Sequence, residues 1–176
     1  MTHGIRSEMH TSYVEGFRDW RENATHYALL PLRVFLGITF IYAGLNKLTD
    51  SAFLKPGGPG SIAETMRSVR GSAGVPALVD LALKNPVGFG YGIAIGEAAV
   101  GLGILVGLFA RLAALGGALI SLSLWLTVSW ASTPYYYGND LAYLMAWLPL
   151  VLAGAPYLSL DAILRTRRRQ RAGVFH

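Results

Sequence analysis

Four apolar stretches limit what this chain can fold into more than any other feature. They are Tyr27–Leu48, Pro86–Phe109, Leu112–Ala131 and Leu141–Leu158. A hydrocarbon core of roughly 30 Å needs about 20 helical residues to cross, and inside lipid only a helix or a closed barrel satisfies its own backbone. Hydrophobic residues make up 53% of the 176 positions and charged residues only 14%, a balance that suits a membrane protein better than a soluble domain. The expected fold is therefore all-α: an integral membrane four-helix bundle with a short helical outer loop and an N-terminal amphipathic helix. Its boundaries are an arm over 1–26, a transmembrane domain over 27–158 and a tail over 159–176. Pro149 predicts a kink in the last span, and Arg111 marks a tight turn that makes spans two and three antiparallel neighbours.

Charge predicts orientation. With both ends inside, the inner segments carry Arg6, Arg18, Arg21, Arg111 and the five arginines between Arg165 and Arg171. The outer segments carry Lys55, Arg67, Arg70 and Lys84. That bias places both termini in the cytoplasm. The net charge of +5 is concentrated directly after the last apolar stretch, where it suits anionic lipid rather than nucleic acid. The N-terminus is polar for about 25 residues, so the first span reads as an uncleaved anchor.

Two segments outside the spans have helical signals. Ser12-Tyr13-Val14-Glu15 has capping-box spacing, and Tyr13, Phe17 and Trp20 fall on one face, predicting an amphipathic helix at the inner surface. The outer loop 49–85 is too long to be a bare connection. Ser61-Ile62-Ala63-Glu64 repeats the capping spacing ahead of Met66 and Val69, and Pro76 suits a second helix start, predicting two short helices over the outer mouth. Gly88, Gly92, Gly96, Gly103 and Gly107 in span two, with Ala113, Gly117 and Ser121 in span three, suit close helix packing.

Ionisable side chains inside such spans are the candidate functional groups, because a charge at bilayer depth is costly unless it faces a polar interior. Glu97 and Arg33 are the candidate catalytic pair. At 1.5 Å rise per residue their depths differ by about 7 Å, within reach of an arginine, so they are expected to share the interior and interact. Glu97 then either ties two helices together or handles protons. The chain has no cysteine and its four histidines lie at the termini or a span edge, so it supplies no thiolate, iron–sulfur, haem or other metal ligands. Redox chemistry here needs a diffusible carrier or a partner's cofactor.

Three sets of residues resemble a known family. They are Pro31-Leu32-Arg33-Val34-Phe35-Leu36-Gly37 continuing to Tyr42-Ala43-Gly44-Leu45-Asn46-Lys47-Leu48; Gly96-Glu97 with Gly107-Leu108-Phe109-Ala110-Arg111; and Ser129-Trp130, Pro134–Asp140 and Ala146–Pro149. Together, from about Leu30 to Tyr157, they look like the DoxX/DoxD family of small membrane proteins. The resemblance implies a four-helix bundle in a prokaryotic inner membrane and a link to thiosulfate:quinone oxidoreductase, in which such a protein is the membrane subunit. A bound, diffusible quinone and a partner subunit or larger redox complex are the implied cofactor and partner. The alternatives are a non-catalytic anchor or assembly subunit, and a small-solute or proton permease.

Lys47, Asn46, Trp130, Tyr136, Asn139 and Asp140 fall at the outer ends of their spans and are the candidate substrate or quinone site. They form either an interfacial aromatic belt or a polar mouth for a small anion or a quinone headgroup. In the second reading Lys47 supplies positive charge for an anion, and Tyr136 and Asn139 donate hydrogen bonds.

Overall fold

The structure is a computed structural model that describes residues 27–155, 158–161 and 164. Among them are six α-helices and no strand: α1 (Leu30–Thr49), α2 (Ile62–Val69), α3 (Pro76–Lys84), α4 (Pro86–Val106), α5 (Ala110–Thr127) and α6 (Asn139–Ala153). A 3-10 turn, Tyr135–Tyr137, precedes α6. The amphipathic helix expected within 1–26 and the arginine run of the tail lie outside the described residues.

The four long helices occupy the four apolar stretches and close a ring, α1 against α4, α4 against α5, α5 against α6, and α6 back to α1. The shared core holds Leu36 and Phe40 of α1, Ile104 of α4, Ala114 and Ala118 of α5, and Trp147 and Leu150 of α6. Trp147 is fully buried and meets Phe40 edge to face, centroids 4.9 Å apart. It fits because α5 has Gly117 beneath the ring, where a Cβ would come within 2.3 Å of it.

Outward, the same helices are apolar. Phe35, Ile38, Tyr42 and Leu45 form an exposed stripe on α1, and Leu112, Leu115 and Leu119 form another on α5. Leu152 of α6 is 77% exposed. Exposed apolar surface of this extent is rare on a soluble monomer. Among the described residues two helices, α4 and α5, are long and apolar enough to cross a membrane; α6 is apolar but has 15 residues.

Glycines outside the four-residue series set the α1–α4 spacing, while Gly103 of that series packs on Ala113 of α5, where a Cβ would come within 3.0 Å. A Cβ on Gly44 would lie 2.4 Å from the Ala94 carbonyl oxygen, and one on Gly101 would lie 2.7 Å from the Ile41 nitrogen. Gly37 likewise faces Gly101 and Leu105. The α1–α4 backbones therefore touch at Gly37, Gly44 and Gly101, whereas Gly92 faces open space. The turn between α4 and α5 also differs from expectation. It is made by Gly107 at φ 71° and Phe109 at φ 48°, and Arg111 already lies in the first turn of α5.

Two short helices do form in the outer loop. The Ser61 hydroxyl accepts from the Glu64 N–H at 3.2 Å while the Glu64 carboxylate accepts from the Gly60 N–H at 3.0 Å. Ile62, Met66, Val79 and Ala82 bury a second small core. Arg70 joins the two helices by an exposed two-pronged pair with Asp80, which holds the Asp80 carboxyl below its usual range, chiefly through the hydrogen bond. The Val75 N–H donates to the Leu126 carbonyl, tying this cap to the outer end of α5.

Candidate functional site

The α1–α4 register decides which charges meet. The helices run antiparallel, with Gly44 against Ala94 and Ala98, and Gly37 against Gly101 and Leu105. Each step toward the start of α1 is thus a step toward the end of α4. Lys47, one turn beyond Gly44, reaches Glu97, and its Nζ donates to Oε2 at 2.7 Å. The Glu97 side chain is 3% exposed and the Lys47 side chain 24%.

Arg33 lies at the other end of the same interface. It donates to the carbonyls of Ile104 at 3.3 Å, Leu105 at 3.4 Å and Leu158 at 3.3 Å. The expected Arg33–Glu97 interaction is therefore overturned: Glu97 pairs with Lys47. Ile104 is seven residues beyond Glu97, about 10 Å along the helix axis, farther than the 7 Å inferred from span depth alone. Register, not depth, separated them.

Arg33 belongs instead to an inner latch. The Asp161 carboxylate accepts from the Phe109 and Ala110 N–H groups at 3.0 and 2.9 Å, and the Asp161 N–H donates to Gly107 at 3.0 Å. A distant residue thus caps the start of α5, where Phe109 offers no side-chain cap of its own. Asp161 is also within electrostatic reach of Arg33. Asp161→Ala is expected to cost about 1–2 kcal/mol, read as a lower denaturation midpoint, with Asp161→Asn retaining part of the cap.

At the other end of the α1–α4 interface, Lys47 and Glu97 open on a cavity of about 420 Å³. Its apolar wall includes Phe40 and Ala43 of α1, Leu124 and Val128 at the end of α5, and Tyr143 of α6. Its polar lining includes Ser129, Ser132, Asn139 and Asp140. The Ser129 hydroxyl donates to the Asp140 carboxylate, and Asp140 lies within electrostatic reach of both Lys47 and Glu97. One ammonium and two carboxylates thus face a half-apolar space, a set that can hold and exchange protons beside an organic ring.

Of the residues expected at the outer site, Lys47, Asn139 and Asp140 line this cavity together with Glu97. Asn46, Trp130 and Tyr136 do not. Asn46 is exposed on the far side of its turn. Trp130 packs on Gly74 and on Trp125, centroids 5.2 Å apart, and so helps to seat the cap. Tyr136 is 65% exposed between Tyr135 and Tyr137, and the cavity is lined by Tyr137 instead. Ser129, Ser132 and Tyr143 were not singled out as site residues from the sequence. Ser129 stands eleven positions before Asp140, and only closure of the intervening turn brings the two together.

The family model described as DoxX matches residues 28–130. The match covers more than half of the chain and includes Arg33, Lys47, Glu97 and Ser129, but stops before α6 with Asn139, Asp140 and Tyr143. No curated protein and no solved structure matches the chain. The chain belongs to the DoxX family, whose members are membrane proteins often linked to redox or quinone-related complexes.

Proposed function

We propose that this DoxX-family protein is the membrane subunit of an oxidoreductase that passes electrons to quinone, with the Lys47–Glu97–Asp140 cavity as the headgroup site. The observation that carries this reading is the cavity itself: two carboxylates and an ammonium beside the aromatic rings of Phe40 and Tyr143, in a space of about 420 Å³. Reduction of a quinone consumes two electrons and two protons. Glu97 and Asp140 are placed to relay those protons, each returning to the carboxylate after transfer, and Lys47 orients the Glu97 carboxylate and neutralises it between turnovers. Phe40 and Tyr143 offer ring contacts. The chain has no cysteine, so electrons drawn from a dithiol or an iron–sulfur cluster come from a partner subunit. A thiosulfate donor, as in the thiosulfate:quinone type, is one candidate for the complex as a whole.

In this arrangement α1, α4, α5 and α6 all cross a bacterial inner membrane, with both ends cytoplasmic. Apolar stripes on the outward faces of α1 and α5 support it, as do Arg33 and Glu97 turned into the protein and the arginine bias of the inner segments.

The test is extraction of the purified chain for bound quinone, followed by titration with a short-chain benzoquinone monitored by calorimetry. Stoichiometric binding weakened by Lys47→Ala in a folded protein supports the site. A folded chain that carries no quinone and takes up none overturns it. That result would favour the reading of a membrane anchor or assembly subunit, in which the 2.7 Å Lys47–Glu97 pair only joins α1 to α4.

A further inference from the structure

We infer that the outer cavity rejects oxyanions and admits neutral headgroups, so any anionic substrate of the complex is bound on another subunit. The inference rests on the cavity assigned above and deepens that reading by naming the ligand's charge class.

Lys47 is the only cationic side chain among the described residues that line the cavity, and it faces two carboxylates, Glu97 and Asp140. Its ammonium is engaged with Glu97 Oε2 at 2.7 Å. An oxyanion that took Lys47 as its counter-ion would have to displace Glu97, whose side chain is 3% exposed and pairs with no second cation among the described residues. Displacement would leave that carboxylate buried and unpaired. The other donors nearby do not compensate. The Ser129 hydroxyl is committed to Asp140, so its hydrogen already points at a carboxylate. The remaining lining offers Thr39, Ser132, Tyr137 and Asn139, all neutral, beside an apolar wall.

A dianion therefore meets net negative charge in a partly desolvated space where Coulomb terms are weakly screened. A neutral ring with carbonyl acceptors meets neither penalty. It can accept from Lys47 without breaking the pair, since an ammonium has three donor hydrogens.

The experiment titrates the full chain in a zwitterionic nanodisc with three probes: sulfate, thiosulfate and a neutral short-chain benzoquinone. Wild type, Asp140→Asn and Glu97→Gln/Asp140→Asn are compared. The expected result is that neither oxyanion binds wild type or competes with the benzoquinone. The double variant, in which Lys47 is no longer neutralised, should gain affinity for both oxyanions by about tenfold or more. Asp140→Asn alone, which leaves the ion pair intact, should gain in the same direction by less, and it answers the question if the double variant fails to fold. Thiosulfate or sulfate competing with benzoquinone in wild type overturns the inference, as does a folded variant that gains no oxyanion affinity. Absence of benzoquinone binding in wild type, with oxyanion affinity appearing in the variants, removes the quinone reading but leaves the charge rule standing.

Discussion

Lys47→Met is expected to destabilise the protein by about 3 kcal/mol, while Lys47→Met combined with Glu97→Gln recovers most of that loss. The two partners are unequally placed. Glu97 is almost wholly buried, so deleting Lys47 strands a carboxylate inside the protein. Glu97→Gln alone costs less, because the Lys47 side chain is 24% exposed, can turn its ammonium toward water, and still finds an amide oxygen to donate to. Denaturant unfolding of the full chain in detergent measures all three. Arg33→Leu tests the overturned pairing: its loss should add to that of Glu97→Gln within about 0.5 kcal/mol, as for sites with no shared partner. Coupling well above that would restore a link between Arg33 and Glu97. Recovery absent from the Lys47/Glu97 double variant would mean that the pair does not hold α1 to α4.

Gly44→Ala and Gly92→Ala should move stability in opposite directions, although both add one methyl to a helix. At Gly44 the new carbon would lie 2.4 Å from the Ala94 carbonyl oxygen and 2.7 Å from the Ala98 nitrogen. Those are backbone atoms of α4 and cannot swing aside, so the helices must separate, at a cost of about 1–3 kcal/mol. Because Lys47 lies one turn beyond Gly44 on α1, that separation should also lengthen the contact to Glu97 and weaken benzoquinone binding. At Gly92 nothing lies within 4 Å. Alanine there should gain up to about 1 kcal/mol from helix propensity. Thermal melts of the two variants decide the matter, and equal shifts would show that α1 and α4 are not in backbone contact.

The starts of α2, α3 and α4 were legible because local rules set them. Ser61 with Glu64, Pro76, and Asn85 ahead of Pro86 all act within one helical turn, and each marks a helix start in the structure. Lys47, Glu97, Asn139 and Asp140, which line the cavity, were legible as inward-facing groups for a different reason: polar groups in or beside apolar spans have few places to go except inward. The same reasoning does not place Trp130 and Tyr136, which lie outside the cavity lining. Aromatic residues at a span end satisfy themselves equally well on a cap, in the interface or at a cavity, and local sequence does not distinguish these.

Composition and periodicity by themselves determined that the described residues are helical, where α2, α3 and α4 start, and that Glu97 and Arg33 must be turned away from lipid, because those outcomes follow from the backbone and from the cost of an uncompensated charge. Only the tertiary structure decided which charge answers which. Glu97 could pair with any cation the packing delivered. The contacts of Gly37, Gly44 and Gly101 fixed an antiparallel register that brings Lys47 to Glu97 and carries Arg33 to the carbonyls at the end of α4. Register is a sum of close contacts along a whole interface, and no single residue or motif encodes it.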